Sequence, residues 1–318
     1  MHTASWDEIE ADLKLGVFLM TVAAQSLLPA RHAAAAQFGR AALGQGFDKG
    51  QLASFRADEL DAFDVSGTRF HQVVRACFDL VHGSAPLDEI ETQDFEAEYL
   101  NWTTYFLGAI PSDSYATMMG DYADRFREHA NKGDEYPLPG LHLAAAAKIN
   151  LAEYLQRFPR NPDMEIGFAP FEIAALAGMS ISSVRNFIGP DGRKPIRSMP
   201  SRDSTGVYGE PLGALEWLAG RRHFDPGPLS SRWLERAGDR AATVEDAGAI
   251  LGVYAWTNRI TTETLAQRSG LPVEAVRNWT RGDMSSPEDA APLAEAAGID
   301  PEFYTELVDR CGGAVARI

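Results

Sequence analysis

The sequence predicts a mainly α-helical chain, in which an N-terminal helical domain precedes two helix-turn-helix segments, the first of them followed by a small β hairpin or a loop. Three observations carry that expectation. Apolar residues recur at three-four spacing in segments of the first 160 residues, one pattern occurs twice, at 171–187 and 263–279, and a glycine- and proline-rich stretch follows the first copy.

Residues 1–160 read as one helical domain, from segments such as WDEIEADLKLGVFLM, RFHQVVRACFDLVHG and LHLAAAAKINLAEYLQRF. Its connectors are marked by Pro29, GQGFDKG, HGSAP and GDEYPLPG. The stretch FPRNPDMEIGFAP, with Pro159, Pro162 and Pro170, reads as a linker, because proline breaks a helix interior. Two further domains are expected beyond it, over 165–235 and 240–318. Residues 84–100 hold Asp88, Glu89, Glu91, Asp94, Glu96 and Glu98 without a Lys or Arg, and read as a solvated helix face; the alternative is an acidic surface for a basic protein partner.

Charge narrows the function. With 45 acidic against 29 basic residues, a formal net charge of −16 argues against coating nucleic acid through bulk charge, so any contact with DNA must come from a local patch. The apolar run LGVFLMTVAAQSLL is too short and interrupted for a membrane span, which takes about 20 apolar residues. The acidic residues Asp7, Glu8, Glu10 and Asp12 ahead of it argue against a secretory signal. Cys77 and Cys311, far apart in sequence, suggest neither a disulfide framework nor a Cys-rich metal site, and a reducing cytoplasm is the simplest home.

Each item of the repeat has a physical cause. FEIAALAGMSISSVRNF and ETLAQRSGLPVEAVRNW share an Ala where two steeply crossing helices touch, Ala174 and Ala266, and four residues later a Gly for the turn, Gly178 and Gly270. Ile173, Met179, Val184 and Phe187 form the expected apolar underside of the first copy; Leu265, Leu271, Val276 and Trp279 form that of the second. At the remaining inner position Ala177 in one copy faces Ser269 in the other. The first copy then turns Ser180, Ile181, Ser182, Ser183, Arg185 and Asn186 outward; the second turns out the less polar Pro272, Val273, Glu274, Ala275, Arg277 and Asn278.

After the first copy, GPDGRKPIRSMPSRDSTGVYGEPLGALEWLAGRR reads as a hairpin or loop before a helix opening near Glu210 and Pro211 and carrying Trp217 and Leu218. Residues 165–222 thereby resemble the winged helix-turn-helix of the excisionase and MerR-like families. Over 181–222 Arg185, Arg193, Lys194, Arg197, Arg202, Arg221 and Arg222 outnumber Asp191, Asp203, Glu210 and Glu216, a positive island in an acidic chain. Residues 243–310 resemble the lambda-repressor-like family, through TVEDAGAILGVYAWTNRI, the repeat itself, the RGDMSSP turn and the closing stretch ending AAGIDPEFY. That family often has Gln where Thr262 stands, and Asp283, Glu288, Asp289, Glu295, Asp300, Glu302, Glu306 and Asp309 would repel nearby phosphate, so this copy is open to binding protein instead.

The resemblances imply a cytoplasmic transcription regulator that binds double-stranded DNA as a two-fold dimer. Ser180, Ser182, Ser183, Arg185, Asn186, Arg193, Lys194, Arg197 and Arg202 would contact it from the first segment, and Arg277, Asn278 and Arg281 from the second. The alternative is an adaptor that keeps helix-turn-helix folds as scaffolds for protein partners. No HExxH, CxxC, Walker or GxSxG pattern occurs, so no enzyme, cofactor or metal is expected. His71 and His82 would stand three turns apart on one helix, roughly 16 Å, too far for one ion.

Overall fold

A computed structural model describes residues 4–14, 17, 63–91, 137–159, 167–190, 194–200, 207–284 and 286–315. The chain is mainly helical with a small three-stranded sheet. Among the described residues no helix is long and apolar enough to cross a membrane. Arg193, Arg202, Pro162, GQGFDKG, most of the apolar run after residue 15, and Asp94, Glu96 and Glu98 of the acidic stretch lie outside the described residues.

The chain divides into two units, one made of His2–Gly83 with Glu91–Ile149, the other of Ser84–Ile90 with Asn150–Ile318. In the first unit, α1 (6–14) buries Ile9 and Leu13, and α2 (Arg69–His82) buries Phe70, Val73, Val74, Cys77 and Val81, the three-four stripe of an amphipathic helix. Thr68 caps α2 by accepting from the His71 amide at 3.1 Å. Burial pushes the Cys77 thiol up to about 12, so it packs as an apolar side chain. His71 instead meets Glu10 at 2.9 Å. The unit boundary falls within α3 (Pro137–Arg157).

The second unit opens its first helix-turn-helix with α4 (Pro170–Ala177) and α5 (Ile181–Arg185). Strand β1 (Ile188–Gly189) runs parallel to β2 (Ile196–Pro200), and β2 pairs antiparallel with β3 (Val207–Gly209) in the register Ser198–Gly209 and Met199–Tyr208. Of the hairpin or loop expected here, the structure describes the antiparallel strand pair. Helix α6 (Pro211–Ala219) starts at proline, and the Glu210 carboxylate accepts from the Leu212 and Gly213 amides at 2.9 and 2.7 Å, supplying partners to the unpaired donors of its first turn. Trp217 and Leu218 are buried, with Phe187 packed on Trp217 at 5.0 Å.

Then come α7 (Trp233–Arg240), α8 (Val244–Thr257), α9 (Thr262–Ser269), α10 (Val273–Trp279), α11 (Ala290–Ala297) and α12 (Pro301–Val315). The Trp233 indole donates to the Leu155 carbonyl at 2.9 Å, fastening α7 to the end of α3. Tyr304 fastens α12 to the centre: its hydroxyl donates to the Ala247 carbonyl at 3.0 Å and accepts from the Trp279 indole at 2.9 Å. α8 lies so close to the end of α10 that a Cβ on Gly248 would stand 2.2 Å from the Trp279 carbonyl oxygen.

The acidic stretch is not uniformly solvated. Asp88 is 2% exposed and accepts from the Ser230 amide at 2.7 Å, the Ser230 hydroxyl at 2.5 Å and the Arg236 guanidinium. A carboxylate can be buried when its oxygens are fully engaged by donors and a counter-charge, and this one binds residues 84–90 into the second unit.

Candidate nucleic-acid interface

Both turns have the geometry that their glycines anticipate. Gly178 ends α4 at φ +62° and Gly270 ends α9 at φ +74°, left-handed conformations that cost glycine nothing. Ala174 and Ala266 are buried between crossing helices, as are Ile173, Val184, Leu265, Val276 and Trp279; Met179, Phe187 and Leu271 are only half-buried. Ser269, the polar inner residue, satisfies its hydroxyl within its own helix by donating to the Leu265 carbonyl at 2.8 Å.

Around α5 the predicted residues that the structure describes are exposed or half-buried. Arg185, Asn186 and Ser182 are exposed, and Ser180 and Ser183 are half-buried. Ser180 caps α5, accepting from the Ser183 amide at 3.3 Å, and its hydroxyl also meets those of Ser182 and Ser183 at 3.1 and 2.8 Å. The Lys194 ammonium donates to the Asn186 carbonyl at 2.5 Å, which lays the base of the wing beside the end of α5. Arg197 is exposed on β2. None of Arg185, Lys194 and Arg197 pairs with a carboxylate among the described residues.

The second segment is arranged differently. Arg277 is ringed by carboxylates, with Glu274 at 2.7 Å, Glu216 at 3.5 Å and Glu263 at 3.9 Å. Burial alone would weaken its charge, and the Glu216 and Glu274 carboxylates more than reverse that, so the guanidinium is firmly charged and firmly occupied. Arg277, expected on the DNA-contacting face, thus already has carboxylate partners within the chain. Arg281, 64% exposed, lies 3.9 Å from Glu216. Asn278 is half-buried, and its carbonyl accepts from the Arg281 and Asp283 amides at 3.0 Å each, closing the turn after α10.

Two residues central to this arrangement carried no specific sequence signal as partners. Thr262, 1% exposed, donates its hydroxyl to Glu216 at 2.9 Å and accepts from the Trp256 indole at 3.3 Å. Glu216 sits on α6, so the first segment's last helix reaches the start of the second segment's first helix and both of its outward arginines.

One further titrating group lies under the first segment. Glu172 accepts from the Ala169 amide at 2.6 Å and from the Asn150 side chain at 2.9 Å, closing the first turn of α4. Burial pushes its carboxyl up to about 7, against the two hydrogen bonds that pull the other way. Comparison of the chain with family models, with curated proteins and with solved structures finds no match.

Proposed function

We propose that this protein is a DNA-binding transcription regulator whose first helix-turn-helix reads a duplex. The observation that carries the reading is the pairing state of Arg185 and Asn186: both are exposed at the end of α5, and no carboxylate engages Arg185 among the described residues. Arg can form a bidentate pair with guanine and Asn with adenine in the major groove, while Lys194 and Arg197 would hold the phosphates. Cytoplasmic residence and a two-fold dimer belong to the same proposal.

For the second segment, the caged Arg277 and the buried Thr262 favour the scaffold reading, in which a helix-turn-helix serves packing or a protein partner rather than base readout. The test is selection of genomic fragments by the intact chain at two salt concentrations. Retention that falls steeply with salt, and that Arg185→Ala with Asn186→Ala abolishes, is the expected result. Absent or salt-insensitive retention would overturn the regulator reading.

A further inference from the structure

A cleft of about 1050 Å³ lies between the wing and α6 on one side and α9 and α10 on the other. Lys194, Arg197 and Arg221 line it from the first segment, Arg277 and Arg281 from the second. Three carboxylates share the space, and each is engaged within the protein. Glu210 gives both oxygens to the amides that open α6. Glu216 holds Thr262 and lies beside two arginines, and Glu263 lies 3.9 Å from Arg277.

Among the described residues the cations that line the cleft from the first segment have no such neutralisation. Among the described residues Lys194 meets a carbonyl and no carboxylate. Arg221 stands 4.2 Å from the centre of the Trp217 ring and donates its Nε to the Trp217 carbonyl at 3.3 Å, which fixes the side chain while its terminal nitrogens stay unengaged among the described residues. Arg197 is exposed and pairs with no carboxylate among them. Opposite stands Arg281, held only at 3.9 Å by a carboxylate that already serves Thr262.

We propose that this cleft binds phosphate groups, two or more in a row. The volume suits a ligand of nucleotide size, and guanidinium forks match phosphate oxygens pairwise. Arg281 lies 3.9 Å from Glu216, a loose contact that a phosphate oxygen can replace, while Arg277 stays with Glu274 at 2.7 Å. The phosphates can belong to a free polyphosphate compound or to the backbone of a bound duplex. The second source rests on the DNA reading given above and the first does not.

The test uses the intact chain with Arg197→Ala, Arg281→Ala and Glu216→Gln, each checked for unchanged far-UV circular dichroism, and with Arg185→Ala as the reference for DNA reading. Inorganic tripolyphosphate is titrated calorimetrically, and a duplex pool is bound over a series of salt concentrations. For a free ligand, tripolyphosphate binds the parent protein, each arginine variant loses about tenfold in affinity, and Glu216→Gln, which removes a competitor yet still accepts from Thr262, gains several-fold. For a backbone, tripolyphosphate is inert and each arginine variant lowers the salt slope of duplex binding by about 1. Arginine variants that match the parent protein in both assays overturn the cleft, even where Arg185→Ala still cripples duplex binding. Duplexes that never bind, beside tripolyphosphate that does, sink the DNA reading and leave the cleft standing.

Discussion

The Thr262 hydroxyl donates to the Glu216 carboxylate at 2.9 Å, and so joins the helix that completes the first helix-turn-helix to the helix that opens the second. The two copies of the repeat are therefore not equivalent. One leaves its arginine open, and the other surrounds it with acid.

That inequality separates two alanine variants. Arg185→Ala is expected to weaken duplex binding by about 1–3 kcal/mol and to relax base preference at one position. Arg277→Ala should keep the base preference intact, since its guanidinium already has carboxylate partners. Fluorescence anisotropy with single-base variants of a selected duplex distinguishes them, and a lost preference in Arg277→Ala would reverse the assignment.

Glu172 predicts a pH dependence with a definite sign. Its folded carboxyl, near 7, lies above the ordinary value of 4.5, so the folded protein holds that proton more tightly than the unfolded chain. Stability from this group is full below about pH 4.5 and is lost as pH rises through about 7, a change of about 3 kcal/mol at about 1.4 kcal/mol per pH unit. In thermal melts from pH 5 to pH 8, Glu172→Gln should gain several degrees relative to the parent protein. A constant difference across that range would contradict it.

The two turn glycines should differ in their tolerance of alanine. Both have positive φ, which costs an L side chain about 1–2 kcal/mol. A Cβ at Gly178 would also stand 2.8 Å from the His223 Cβ, whereas nothing lies within 4 Å of one at Gly270. Gly178→Ala should therefore lower the midpoint in urea more than Gly270→Ala does.

Asp88→Ala is expected to cost about 3 kcal/mol, because it strands the Ser230 amide and hydroxyl and removes the counter-charge of Arg236. Ser230→Ala keeps the amide donor and should cost about 1 kcal/mol. Chemical denaturation measures both.

The repeat was readable from the sequence because its determinants are local: a glycine at a left-handed turn, a small residue at a crossing and apolar residues at helical spacing. The hairpin and the proline-started helix after it were legible for the same reason, in Gly and Pro placement and in Glu210–Pro211. What escaped was every property set by a distant neighbour. Periodicity turned Arg277 outward but could not say that Glu216 would meet it there. Charge counting made Asp88 one of six solvated acids, although its donors come from Ser230 and Arg236, far along the chain. Met179, Phe187 and Leu271 were assigned to the underside by spacing alone, and only their surroundings leave them half-covered.

Asp88 also decides where this protein can be cut. The proline-rich stretch after residue 158 invites an expression fragment that begins there and carries both helix-turn-helix segments. Such a fragment would lack the carboxylate that Ser230 and Arg236 close upon, as well as the Leu155 carbonyl that takes the Trp233 indole proton. A piece that keeps these contacts has to include α3 from Asn150 together with residues 84–90, two stretches that are not contiguous in sequence.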